Sequence, residues 1–202
     1  MILAIDTSAS VAVSVVDAAG RTRASRSAFA PRGHAELVAG FVQEVLAEAG
    51  VTGREVESIV VGTGPAPFTG LRVGLVTART LGFAWGVPVR GVCSLDAIGA
   101  EHGDAVVVAD ARRKEVYWAR YEGGRRVDGP AVCAPGDVPA SAVVVGRGAS
   151  LYPEAFPGAV AADPDPAALV RVVQEALEGG ETEFPTEPLY LRRPDVHGVP
   201  GQ

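Results

Sequence analysis

VVGTGPAPFTGLRVG, residues Val60–Gly74, and the run that follows it decide how this chain folds. A short β-branched run, Ser58–Val61, ends in a turn dense in Gly and Pro. The chain then enters Thr69–Trp85, which has the length and residue types of a helix. At 100° per residue its apolar side chains fall on nearly every side: Leu71, Val73, Leu75, Val76, Ala78, Leu81, Phe83 and Trp85. Its only charges, Arg72 and Arg79, stand seven residues apart, one above the other. A helix apolar all round is normally enclosed on all sides. A chain of 202 residues has limited means of enclosing one, so part of the cover is expected from another chain.

Composition bounds the rest. A hydrophobic content of 48% with 25 Gly and 15 Pro describes a globular α/β protein with many tight turns, long enough for one large domain or two small fused ones. The net charge is −6 and Lys114 is the only lysine. The other cations are arginines, six of them in short groups, Arg112/Arg113 beside that lysine, Arg125/Arg126 and Arg192/Arg193. A chain that held RNA by itself would carry a basic stripe, and none is present here. Cys93 and Cys133 lie 40 residues apart without metal-like spacing, which fits a reducing cytosol better than a disulfide scaffold. Met1 leads straight into a strand-like run, and no apolar run reaches membrane-spanning length. A soluble, cytoplasmic protein with no membrane contact is expected.

Outward from the central stretch, Ile2–Asp17 reads as strand, small polar turn and second strand, with a third, more polar strand over Arg21–Ser27. Helical spacing runs from Gly33 to Ala49, with His34, Leu37, Val38, Phe41, Val42, Val45, Leu46 and Ala49 on an arc roughly 180° wide, against the ~100° that one core contact needs. Val87–Val92 suits one more short strand. Asp104–Glu122 then repeats the opening design: an apolar strand ending in Asp110, a polar turn and a returning strand with Val116, Trp118 and Arg120. Asp6 and Asp110 fall at equivalent points, so the chain reads as an internal duplication split near Ala100–Asp104, into residues 1–102 and 103–202. The thinner second half adds a strand at Ala142–Val145 and a capped helix, with Asp165 as N-cap, Pro166 at N1 and Gly179 past the end. The Pro-rich tail from Glu181 is expected to pack as extended chain.

The chemistry-bearing groups leave alternatives open. Asp6-Thr7-Ser8 suits a phosphate or a metal-bound water, and equally the polar turn of a hairpin. Asp110 reads the same way, with Arg112 as an ion-pair partner. The loop Gly62–Gly70 has neither a Gly-Lys-Ser/Thr ending nor the third glycine of G-x-G-x-x-G, although Thr69 as N-cap could present free amides to an anion. His34, His102 and His197 are scattered without ligand spacing, and there is no G-x-S-x-G elbow or cysteine nucleophile motif. No catalytic set, cofactor site or metal site is expected.

ILAIDTS at the start, a helix opening with PRGHAEL, GTGPAPFTGLRVGL, the hairpin DARRKEVY and the late PLYLRRPD span nearly the whole chain. In order and spacing the chain resembles the bacterial TsaB family, also called YeaZ. GP-x-x-FTGLR-x-G and DAR-x-x-EVY carry the resemblance; Asp-Thr-Ser alone does not. It implies an α/β actin/Hsp70/sugar-kinase (ASKHA) fold of two related halves, each with a central mixed sheet and flanking helices. It further implies a non-catalytic relative of TsaD, the enzyme that places threonylcarbamoyl on the adenosine next to the anticodon of certain tRNAs.

In TsaD a metal-binding His-x-x-x-His follows the apolar helix. The corresponding stretch, Cys93–Ile98, puts Ser94 and Ile98 at the ligand positions, and neither suits an iron- or zinc-type ion. TsaD's late Gly-Gly-x-x-Ala-Asn-like nucleotide wall has no counterpart after Gly146-Arg-Gly148. The resemblance thus implies a dimerisation or scaffold subunit for threonylcarbamoyladenosine formation. Its two apolar helices would pack on the equivalent pair of TsaD through Leu37, Val38, Phe41, Val45, Leu75, Val76 and Phe83, with Arg72 and Arg79 pairing with acids. The ATPase TsaE would dock on the pair, tRNA would be met only through the complex, and a homodimer of the isolated chain stays open. Asp6, Thr7, Ser8 and Asp110 would be vestiges of phosphate-binding hairpins. Two other classes remain: a self-sufficient ASKHA phosphotransferase or ATPase using Asp6 and Asp110, and an M22-like metallopeptidase needing a histidine-held metal.

Overall fold

The structure, a computed structural model, describes residues 1–29 and 34–192. Strands β1 (Ile2–Asp6), β2 (Val11–Val16) and β3 (Thr22–Ala28) form an antiparallel meander. The chain then crosses through helix α1 (His34–Ala49) to β4 (Ser58–Gly62), parallel to β1, and through α2 (Phe68–Trp85) to β5 (Val89–Val92), parallel to β4. The sheet order is β3-β2-β1-β4-β5.

A nine-residue helix, α3 (Ser94–His102), leads to a second sheet of β6 (Ala105–Asp110), β7 (Val116–Glu122), β8 (Arg125–Cys133) and β9 (Val144–Val145), ordered β8-β7-β6-β9. Again three antiparallel strands are followed by one strand parallel to the first of them. The two sheets repeat one plan, the second lacking the last strand and both crossover helices. This is the ASKHA arrangement of two mixed sheets with flanking helices.

The first sheet is covered on both faces. Leu3, Ile5, Val13, Val15, Ile59 and Val61 pack against Val38, Val42 and Val45 of α1 and Leu71, Leu75 and Ala78 of α2. The alternate residues Ala4, Val16 and Val60 meet Leu169, Val170 and Val173 of α4 (Pro166–Glu178) on the other face. Double cover explains why β1 and β4 read as unbroken apolar runs. The helix α4, which follows the second sheet in sequence, thus belongs by packing to the first. Its N-terminus is capped as the sequence indicates, with the Asp165 carboxylate accepting from Ala167 N at 2.9 Å.

Three features depart from the sequence reading. The helix α2 starts at Phe68 after Pro67, so Thr69 lies inside the first turn and is not its N-cap. Neither α3 nor β8 was expected. In α3, Gly99 weakens the helical signal, yet a Cβ there would sit 2.2 Å from the Tyr121 ring, so close packing requires the glycine. The exposed strand β8 offers no alternation to read. Pro31, Arg32, Gly33, Arg193, Pro194, Asp195 and His197, which figure in the sequence reading, lie outside the described residues. Among the described residues no helix is long and apolar enough to cross a membrane.

Candidate functional site

Two regions carry the residues singled out by sequence: the cleft between the sheets, where the two hairpins meet, and the outer face of α1 and α2. At the cleft both hairpin acids make one contact in common. Asp6 Oδ1 accepts from the Ser8 amide at 2.8 Å and Asp110 Oδ1 from the Arg112 amide at 2.7 Å, each two residues on. Beyond that they diverge. Asp6 is buried, with Ser8 Oγ donating to Oδ1 and Ser94 Oγ to Oδ2, both at 2.6 Å. Burial raises its pKa above the ordinary carboxylate range, partly offset by the Ser8 and Ser94 hydrogen bonds. Asp110 is partly exposed and pairs with the Arg112 guanidinium of its own turn at 3.1 Å. Three successive residues of that turn, Arg112, Arg113 and Lys114, take positive φ.

Ser94 stands at the first of the two positions that the resemblance sets against the metal ligands of TsaD. Its hydroxyl donates to Asp6 and accepts from the Gly64 amide at 3.1 Å, tying α3 to β1 and to the Gly-Pro loop. A Cβ on Gly62 would lie 1.8 Å from Asp6 Oδ2, so only glycine admits this carboxylate. Ile98, at the second position, is buried and turns with Leu95 into the cleft. A hydroxyl engaged at both ends and a hydrocarbon do not fit a transition-metal ion. Among the described residues no three His, Cys, Asp or Glu side chains gather as a metal site. Burial pushes the Cys93 thiol up to about 12, so it is no nucleophile near neutral pH.

Thr7 ties the same hairpin to α2. Its hydroxyl donates to Gly70 O at 2.9 Å and accepts from Gly74 N at 3.2 Å, inside the first two turns of the helix. Between the hairpins lies a cavity of about 170 Å³, lined by Ser8, Leu95, Ile98, Asp110, Arg112 and Arg147 among others. That is below the ~300–1,000 Å³ usual for a small-molecule site. Arg147 reaches the cleft from Gly146-Arg-Gly148, stacks over Phe29 at 5.1 Å and makes a two-point ion pair with Asp163. The two hairpins do face one cleft, and the cleft between them is narrow.

On the helix pair the nine expected contact residues separate. Val38, Val45 and Leu75 are enclosed in the chain's own core, at 0%, 0% and 2% exposure, so they cannot form an outer contact without unfolding. Leu37 and Phe41 are half-buried beside that core. Val76 and Phe83 stand out at 62% and 93%. Arg72 and Arg79, expected to meet acids of a partner, are engaged by this chain's own C-terminal segment: Arg72 Nε donates to Tyr190 Oη at 2.7 Å and Arg79 Nε to Thr186 Oγ1 at 2.9 Å. Sequence reasoning missed Ser94 as a hydrogen-bond hub and Thr186 and Tyr190 altogether. The repeat of Val60-Val61-Gly62-Thr63-Gly64 in Val144-Val145-Gly146-Arg147-Gly148 was a signal for the second cleft loop.

The family model described as "TsaD: tRNA N6-adenosine threonylcarbamoyltransferase" matches residues 27–147, more than half of the chain. A relative from Mycobacterium tuberculosis, "Uncharacterized protein Rv3421c", is 48% identical over 168 residues, 82% of this chain and 78% of its own. The Escherichia coli "tRNA threonylcarbamoyladenosine biosynthesis protein TsaB" is 36% identical over 127 residues, 60% of this chain, which spans about half of that relative (54%). The solved structure of YeaZ from Pseudomonas aeruginosa superposes with a TM-score of 0.80 at 29% identity, over 94% of this chain and 99% of that one. A fold shared over nearly its full length, TsaB-named relatives and a match to the TsaD model agree with the motifs above: the chain belongs to the TsaB (YeaZ) family, within the wider family that the TsaD model describes.

Proposed function

We propose that this chain is the non-catalytic scaffold subunit for threonylcarbamoyladenosine modification of tRNA. It docks on the catalytic TsaD through the outer face of α2 with the adjoining edge of α1, and the pair recruits the ATPase TsaE. The name of the E. coli relative supports the process. The single observation that carries the non-catalytic reading is the fate of the two ligand positions: Ser94 is locked between Asp6 and Gly64, and Ile98 is buried hydrocarbon. On this reading residues 1–102, with α4 and the C-terminal segment packed on them, form the partner-binding subdomain and the rest of 103–202 the smaller one, and Asp6, Thr7, Ser8 and Asp110 hold the fold in place of a phosphate. The net charge of −6 supports an indirect meeting with tRNA, through the complex, since phosphate neutralisation dominates such binding.

Titration of the purified chain with ATP and magnesium, beside a pull-down with TsaD, tests this reading. ATP should bind no tighter than roughly millimolar, a free energy near −4 kcal/mol, while TsaD is retained. A micromolar constant for ATP would instead favour the self-sufficient phosphotransferase. Stoichiometric zinc or iron in the purified chain would favour the metallopeptidase-like class.

A further inference from the structure

The outward line of α2 is Arg72, Val76, Arg79 and Phe83, at i, i+4, i+7 and i+11, all exposed. Beside it runs the C-terminal strap, residues 184–192. Backbone contacts hold the strap to the first sheet: Gly91 N donates to Phe184 O at 3.1 Å and Leu189 N to Thr63 O at 2.8 Å. Gly91 makes room for it, since a Cβ there would sit 2.0 Å from the Pro185 carbonyl oxygen. Thr186 lies against Arg79 and Tyr190 against Arg72, so the strap runs antiparallel to the helix.

The strap draws both guanidinium groups sideways. Arg79 donates to the Thr186 hydroxyl and carbonyl, with Glu187 at 3.4 Å. Arg72 donates to the Tyr190 hydroxyl and lies over its ring at 5.6 Å. Val76, between the two arginines, and Phe83, one turn beyond, are left bare. Tyr190, itself 40% exposed, adds an aromatic surface at the edge of this line. A patch of this kind, apolar and rimmed by fixed charges, is typical of a protein contact.

We propose that residues 186–190 of the strap form the second half of the TsaD-docking surface, with Tyr190 in direct contact and Thr186 and Tyr190 positioning Arg79 and Arg72 at its rim. The inference rests on the docking reading given above. The occupant is a helix with an apolar stripe and carboxylates opposite the two guanidiniums. A second copy of this chain fits less well: an antiparallel two-fold contact centred on the line sets Arg72 against Phe83 and Val76 against Arg79, and the line itself offers no carboxylate to either guanidinium.

The test is calorimetric affinity for TsaD with four variants of the full chain. Val76→Glu should weaken binding more than a hundredfold, Tyr190→Ala about tenfold and Thr186→Ala a few-fold. Tyr190→Phe, which keeps the ring and removes the hydroxyl that accepts from Arg72 Nε, should fall between wild type and Tyr190→Ala. Independently of any variant, amide exchange at residues 186–190 of the wild-type chain should slow when TsaD is added. If Val76→Glu weakens binding while the three strap variants bind as wild type and strap exchange is unchanged, the strap inference is overturned and the docking reading stands. If Val76→Glu itself binds TsaD unchanged, the docking reading on α2 fails.

Discussion

Val60–Gly64 and Val144–Gly148, VVGTG and VVGRG, occupy the same place in the two halves and lead to different ends. Each closes the strand that lies parallel to the hairpin strand, β4 beside β1 and β9 beside β6. Each sets a glycine against that neighbour: a Cβ on Gly62 would lie 1.8 Å from the Asp6 carboxylate, and one on Gly146 2.3 Å from the Val108 carbonyl. After Gly64 the chain builds the 18-residue helix α2; after Gly148 it makes only the 3-10 turn Ala149–Leu151. The device that brings a loop up to a hairpin was kept in both halves, and the helix that offers a surface was kept in one. The hairpin acids follow suit. Asp6 is enclosed and braces α3, while Asp110 is partly exposed and, among the described residues, is held by its own turn.

The largest effect should come from filling the glycine cradle. Gly62→Ala drives a methyl into the Asp6 carboxylate and should cost on the order of 3 kcal/mol, measured by urea unfolding. Tolerance within about 1 kcal/mol would mean that the Asp6 carboxylate is not held against Gly62. Next, Asp6→Ala leaves Ser8 and Ser94 donors without an acceptor and should cost about 2 kcal/mol, whereas Asp110→Ala should cost under about 1 kcal/mol. Equal losses would erase the contrast between the two acids. Thr7→Val removes the hydroxyl that grips α2 at nearly constant shape and should cost about 1 kcal/mol. A TsaD affinity that falls further than this stability loss explains would show that Thr7 also orients the docking helix.

The smallest effect is one of slope. The folded pKa of Asp6 lies above its unfolded value of 3.8, so in that window the folded state binds more protons than the unfolded state. Its contribution to stability therefore falls as pH rises from the unfolded pKa through the folded one. Asp6→Asn lacks this decline, so wild-type stability minus that of the variant should drop as pH is raised from acid to neutral. A difference that rises with pH would mean that hydrogen bonds to the carboxylate outweigh its burial.

Much of the candidate site was legible locally. The two acids end apolar strands before small polar turns, and that pattern places them on hairpins wherever the strands pack. Asp165 and Pro166 announce the start of α4 because a cap needs only neighbours in sequence. The role of Ser94 was not legible, since its partner Asp6 lies 88 residues away. Nor were the strap contacts, which span more than a hundred residues.

By itself the sequence determined which segments become the hairpin strands, α1, α2 and α4, that two halves share one plan, and through its motifs the family. Those properties depend on period, caps and order along the chain. Only the tertiary structure decided which apolar side chains of α2 meet water. Arg72 and Arg79 mark one line of the helix, but with apolar residues all round, periodicity does not say which of them stand out beside that line. The sheet settled it by taking Leu71, Leu75 and Ala78, leaving Val76 and Phe83 outward. It also assigned α4 to the first sheet and gave Arg72 and Arg79 their own tail as partner, because such pairings come from the packing of distant segments.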